Sequence, residues 1–198
     1  MSTNNGSNRV AEVVEAATSE FVAQCYRLYQ SPPLGALVRT GGETPAYGIV
    51  RSIATQSLDP GRRPIARGEE EEREEDVYAS HPQLSRLLRT DFQAIVVGFL
   101  DGNDCFQHLP PLPPHIHSFV YLCPPEELRR FTRSLDFLPL LLNGGGSSND
   151  QVVAAFLSLA GGAYEDPAQF LLRSGRELAL LMADHAPRLN TILKRLAL

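Results

Sequence analysis

From Arg9 to Leu122 the chain is a succession of short β-branched and aromatic stretches, each closed by glycine, proline or a polar turn. This punctuation predicts short strands in tight connections and leaves little room for a long amphipathic helix. Six segments stand out. Arg9 to Tyr29 reads as two strands with a bend near Ala16 to Ser19, although its alanines and glutamates keep a helix over Val10 to Cys25 as the competing reading. The Ser31-Pro32-Pro33 step leads into a third strand, Leu34 to Thr40, which ends at Gly41-Gly42. A fourth spans Ala46 to Ala54, with Gly48 marking a bulge or a tight corner. Ala94 to Leu100, followed by Asp101-Gly102-Asn103, is the clearest strand and turn. After the proline-rich connector Leu109 to Pro114, His115 to Leu122 is the last. Short strands at this spacing favour a small, closed, six-stranded β-barrel over an open sheet.

Two regions break the pattern. Residues 57–90 form an excursion: a Pro/Arg/Gly-rich stretch, the acidic run Glu69 to Asp76 and leucines at helical spacing from His81 to Leu88. The acidic run reads as a solvated loop, since like charges repel and lack the glycine turn of a calcium loop. Beyond Pro124-Pro125 the period becomes helical. A helix is expected from Pro125 to Arg133, with proline in its first turn and Glu126 and Glu127 at its positive end. The apolar cluster Leu135 to Leu142 should dock on the strands. After a Gly/Ser linker at 144–148, Asn149 or Asp150 should cap a helix through Val153, Phe156, Leu157 and Ala160. Another helix begins near Pro167, and Pro187 precedes a final turn or two. The fold class expected is therefore mainly β barrel plus α, with a tail at 1–8, a barrel over 9–124 and a helical region over 125–198.

The chain's 198 residues suffice for one real core, and its 43% hydrophobic and 21% charged residues are those of an ordinary globular protein. No apolar run approaches the roughly 18 residues of a membrane span. Met1 to Asn8 has neither the basic start nor the apolar stretch of a secretory signal, and the three cysteines form no CxxC pair. These features together point to a soluble, cytoplasmic protein. Lys194 is the only lysine, which removes a Walker A loop and a Schiff-base site from the strand region. A net charge of −5 gives no general attraction to nucleic acid.

The blocks Arg9-Val10-Ala11-Glu12-Val13-Val14-Glu15, Thr18-Ser19-Glu20-Phe21-Val22, Leu34-Gly35-Ala36-Leu37-Val38 and Tyr47-Gly48-Ile49-Val50 resemble the HAS-barrel family. His81-Pro82-Gln83-Leu84 through Leu87-Leu88-Arg89-Thr90 is similar to the connection before the fifth strand of HerA-like barrels. The family takes its name from the N-terminal barrel shared by HerA-type DNA translocases and the head subunits of rotary ATP synthases. The resemblance covers roughly Arg9 to Cys123. It implies a stand-alone HAS-like barrel that makes contacts, with ATP chemistry belonging to a motor domain that this sequence does not contain. A non-catalytic assembly or adaptor role follows, with a protein partner, a HerA-type ATPase being the first candidate, and with homo-oligomerisation as a further option.

No catalytic or cofactor-binding residue emerges, and no cofactor is expected. His115 and His117 would share one face of a strand, with Cys105, His108 and Cys123 near in sequence, so they are weak metal candidates and carry the alternative of a small metal-dependent enzyme. Cys25 and Cys123 sit in strand-like surroundings that favour inert, buried thiols. Gly146-Ser147-Ser148 is linker rather than a Gly-x-Ser-x-Gly elbow. Arg62, Arg63, Arg67, Arg86 and Arg89 are the candidate interaction residues, offering guanidinium forks to phosphate or carboxylate, or pairing with the acidic run. The cluster also motivates an accessory nucleic-acid-binding role in DNA processing.

Overall fold

The computed structural model describes residues 8–59, 61–143 and 147–196. Its strands are β1 (Arg9–Ala16), β2 (Glu20–Cys25), β3 (Leu37–Thr40), β4 (Ala46–Ser57), β5 (Leu88–Asp101), β6 (Asp104–Phe106) and β7 (Phe119–Leu122). All pairings are antiparallel, in the order β2-β1-β7-β3-β4-β5-β6, and β2 also pairs with β5. The sheet thus closes a ring through β1, β2, β5, β4, β3 and β7, with β6 hanging from β5. The six segments read as strands supply the six ring strands, and the short β6 is additional.

Small and large side chains alternate inside the ring. Ala11, Val13, Phe21, Ala23, Val38, Val50, Phe92, Ala94 and Val120 form one buried cluster. Across β2 and β5, Phe21 stands opposite Ala94 and Ala23 opposite Phe92, so each phenyl ring fills the space its small partner leaves. A Cβ on Gly48 would lie 2.7 Å from the Phe21 ring, which explains glycine near the start of β4.

The outer side of β3, β4 and β5 is covered by helices. The helices are α1 (Glu74–Ser80), α2 (Leu84–Leu87), α3 (Pro125–Phe131), α4 (Leu138–Leu142), α5 (Ser147–Gly161), α6 (Pro167–Leu181) and α7 (Ala186–Arg195), and the cover is built from α3 to α7, while α1 and α2 bury no residue. Leu37, Tyr47, Ile49, Ile95 and Val97 point out of the ring into a second cluster with Phe137, Leu138, Leu141, Val153, Phe156, Leu157, Leu178 and Ile192. β5 therefore alternates between two cores, Ala94 and Val96 inward, Ile95 and Val97 outward. Burial on both faces is why Ala94 to Leu100 is an unbroken apolar run. At the seam, Gly35 (φ +80°) donates its N–H to Val50 O at 2.8 Å and lies against the backbone of α5.

Several elements differ from expectation. β3 begins at Leu37, because Ala36 N–H bonds Pro33 O and the turn occupies 33–36. The acidic run is not all loop: Glu74, Glu75 and Asp76 form the first turn of α1, where the helix dipole stabilises carboxylates. The helix expected over His81 to Leu88 shrinks to α2, and Leu88 already belongs to β5. Of the stretch His115 to Leu122 only Phe119–Leu122 is strand. α5 starts at Ser147, so Asn149 and Asp150 lie within its first turn instead of capping it: Asn149 Nδ2 donates to Leu141 O at 3.0 Å, and Asp150 accepts from Arg188 Nε at 2.7 Å. Residues 144–146 of the expected linker, and the tail up to residue 7, lie outside the described residues. α7 is a full ten-residue helix with Pro187 in its first turn, where the missing N–H costs no hydrogen bond. Among the described residues no helix is long and apolar enough to cross a membrane.

Candidate contact surface

Opposite the helical layer, the outer face of β1 and β7 carries charge and aromatic surface. Inward Ala11, Val13 and Val120 leave Arg9, Glu12, Phe119 and Tyr121 to the outside. Register places Arg9 opposite Tyr121 and Glu12 opposite Phe119, with a shift between Arg9 and Ala11. The Arg9 guanidinium consequently sits 4.5 Å from the centre of the Phe119 ring and 5.2 Å from that of Tyr26, which leaves the end of β2. Each such contact contributes about 0.5–1 kcal/mol at an exposed site and holds the three side chains in one array.

Glu12 organises the array's edge. Its carboxylate accepts from Tyr26 OH at 3.3 Å and from His117 Nδ1 at 2.5 Å. Burial, and then the nearby Glu12 charge, hold the Tyr26 phenol above its ordinary value. The row continues on β3: Arg39 stacks 5.6 Å from the Tyr121 ring, and its Nε donates to Glu127 Oε1 on α3 at 2.6 Å. Tyr47 OH donates to the same oxygen at 2.9 Å, and burial followed by Glu127 pushes that phenol up strongly. The aromatic members at the free end of the row stay open to solvent: Tyr26 is 47% and Phe119 42% exposed, with Ile116 nearby in sequence at 49%. Exposed rings held in place by an arginine can bury area against a partner with little loss of side-chain freedom.

His115 and His117 do not share a strand face. His117 N–H bonds Val13 O and Ser118 N–H bonds His115 O, forming a turn in which His117 takes the left-handed conformation (φ +68°). That reversal breaks the alternation and brings the imidazole to Glu12 while leaving the side chain 78% exposed. Among the described residues no group of three or more His, Cys, Asp or Glu side chains is arranged to hold a metal ion. Burial raises the thiols of Cys25, Cys105 and Cys123 above their ordinary value, that of Cys123 furthest.

The five candidate arginines do not converge on one partner. Arg62, Arg63 and Arg67 are exposed on the irregular part of the excursion, where Arg62 pairs with Asp59 at 3.3 Å. Arg86 is exposed on α2. Arg89 turns onto β5 instead: its Nε is 3.0 Å from Asp91 Oδ2, and Gln56 Nε2 donates to that oxygen at 3.2 Å. The Arg89 Nε–H is not aimed along the contact, and among the described residues the buried Asp91 Oδ1 has no hydrogen-bond partner. Among the described residues, no ion pair joins these arginines to the acidic run; Arg73 pairs within it, with Glu75.

Arg9, Tyr26 and Phe119 escaped the sequence reading because Arg9 and Phe119 are 110 positions apart and only ring closure makes them neighbours. The available signal was the alternation Phe119, Val120, Tyr121, which sets two aromatics on the face opposite an inward valine. No protein-family model matches the chain, and comparison with curated proteins gives no match. Fold and surface together define a ring of antiparallel strands with a helical layer on one side and an aromatic–arginine face on the other.

Proposed function

We propose that this chain is a non-catalytic assembly or adaptor protein, a small six-stranded HAS-like β-barrel that docks a protein partner through the outer face of β1 and β7. The carrying observation is the exposed array in which Arg9 stacks between Tyr26 and Phe119. Arginine and aromatic side chains concentrate binding energy at protein interfaces. Closure of six strands through the β2–β5 pairing supports the barrel reading, and the filled ring interior leaves the outer surface as the place for recognition. A HerA-type ATPase is the first partner to test, on the resemblance of the strand blocks alone.

The test combines light scattering on the purified chain with co-elution against a purified HerA-type ATPase. A complex, or a defined homo-oligomer, weakened by Phe119→Ala together with Tyr26→Ala supports the proposal. A strictly monomeric chain that retains no partner overturns it.

The same array favours a second reading, an accessory nucleic-acid protein in DNA processing, because bases stack on aromatic rings and guanidinium planes. The net charge of −5 weighs against it. A salt-dependent mobility shift with single-stranded DNA, lost in Phe119→Ala, would select it over the protein-docking reading.

A further inference from the structure

On the helical side, Arg129 of α3 and Arg173 and Arg176 of α6 line one open cleft of about 870 Å³, walled by Tyr164 and Phe170. We propose that this cleft is an oxyanion-binding site, taking the phosphate or carboxylate group of a small ligand.

The arginines are aimed without being neutralised. Arg129 Nη1 donates to Ala163 O and Arg173 Nη2 to Thr132 O, each at 2.6 Å. Both acceptors are uncharged main-chain carbonyls, so each guanidinium keeps its full charge and most of its five donors. Arg173 also lies 5.4 Å from the Phe170 ring, and Phe170 stacks on Tyr164 at 4.5 Å. Tyr164 OH closes the frame, bonded to Thr132 Oγ1 at 2.8 Å and to Arg129 O at 3.3 Å. Arg176 follows Arg173 at the i+3 spacing on the same helix face; it is exposed, and among the described residues it has no hydrogen bond or ion pair.

Elsewhere Arg39, Arg51, Arg62, Arg73, Arg89 and Arg188 all have carboxylate partners. Among the described residues other arginines, including Arg9, Arg86 and Arg133, also lack one, but Arg129, Arg173 and Arg176 are gathered in one cleft and none of the three has a carboxylate partner. The two bordering carboxylates do not fill the role: the Asp166 side chain accepts from Gln169 N at 3.0 Å as the cap of α6, and Glu165 is exposed and, among the described residues, has no arginine partner. Guanidiniums already held by carbonyls lose little freedom when a second acceptor arrives, which favours bidentate capture of a compact oxyanion. The rim acids select against an extended polyanion.

Titration of the full-length chain with inorganic phosphate, at ionic strength held constant with sodium chloride, can be followed through the arginine Nε–H signals. The expected result is a saturable shift of Arg129, Arg173 and Arg176. Arg176→Gln should weaken phosphate binding about tenfold without changing the melting temperature, since that side chain supports nothing else. Glu165→Gln should tighten it about twofold by removing a like charge, a gain that a purely structural arginine cluster would not produce. A parallel titration with succinate separates the sources: the anion saturating at lower concentration identifies the ligand's acidic group. A linear response to both anions, or a saturable one that Arg176→Gln leaves unchanged, overturns the proposal.

Discussion

Replacing Gly35 by alanine tests the junction between the strand ring and its helical cover. Gly35 has φ +80°, and an added Cβ would stand 2.5 Å from Phe156 N, 2.7 Å from Ala155 C and 2.8 Å from Ala155 Cβ. The left-handed backbone alone costs an L-residue about 1–2 kcal/mol. The contact adds more, because ordinary van der Waals separation begins near 3.4 Å and two of the obstructing atoms are helix backbone that cannot rotate aside. Turn 33–36 and α5 must separate by about an ångström, a gap that forfeits a quarter to a half of the dispersion contact along the seam. Phe156 and Leu157 are fully buried there, so overpacking adds about 1–3 kcal/mol. The sum is about 2–5 kcal/mol.

Gly102→Ala supplies the control, since Gly102 has φ +58° and nothing within 4 Å of its added Cβ. It should lose only the backbone term, about 1–2 kcal/mol. Both changes reduce unfolded-chain entropy alike, so the difference between the variants isolates the contact with α5. Guanidinium chloride unfolding followed by far-ultraviolet circular dichroism reads both as a fall in Cm at unchanged m. Equal losses, within about 0.5 kcal/mol, would refute the close approach of the turn to α5.

Arg188→Ala should destabilise by about 3 kcal/mol in the same assay, because it strands the Asp150 carboxylate, 8% exposed, and removes a donor from Leu142 O. Phe119→Ala, at a ring open to solvent, should change stability by less than about 1 kcal/mol while weakening partner retention at least tenfold. A thiol reagent at neutral pH should modify Cys105 before Cys25 and Cys123, with Cys123 reacting only after denaturant; rapid native labelling of Cys123 would contradict its burial. Tyr47 sets an alkaline limit. Its folded phenol is held above the ordinary value of 10.0, so its contribution is complete below pH 10 and is lost as the unfolded chain alone ionises above it. Stability should then fall by up to about 1.4 kcal/mol per pH unit, with less loss in Tyr47→Phe, as pH-dependent denaturation would read.

Ring strands announce themselves through turn chemistry: Gly41-Gly42 and Asp101-Gly102-Asn103 end strands where they should, and Gly48 marks a register shift between β4 and β5. Long-range closure was less legible. The left-handed turn at His117 depends on its bond to Val13, about a hundred residues earlier, so alternation alone carried the strand reading too far back. Asn149 and Asp150 have the composition of helix caps, yet their acceptor and donor, Leu141 and Arg188, come from α4 and α7 and redirect them into tethers. The arginine cleft has no local signature, since its members come from two helices about 40 residues apart and are joined only by packing.

The two sides of the ring explain where recognition can lie. Inward positions are nearly alike around the ring, mostly alanine, valine and phenylalanine and all buried, because the enclosed space admits little else. Outward positions diverge strand by strand: Tyr47, Ile49, Ile95 and Val97 on β4 and β5 match the apolar helices over them, whereas Arg9, Glu12, Phe119 and Tyr121 on β1 and β7 carry charge and aromatic surface and belong to neither core. Had that face served only solvation, charged or hydroxyl side chains would have been sufficient, and the stacking of Arg9 on Phe119 returns only about 0.5–1 kcal/mol for the apolar surface left exposed. Keeping that ring outside, under an arginine that fixes its position, makes physical sense if a second surface covers it. Docking at β1 and β7 and ligand capture in the α3–α6 cleft would then occupy different faces and be separable by mutation.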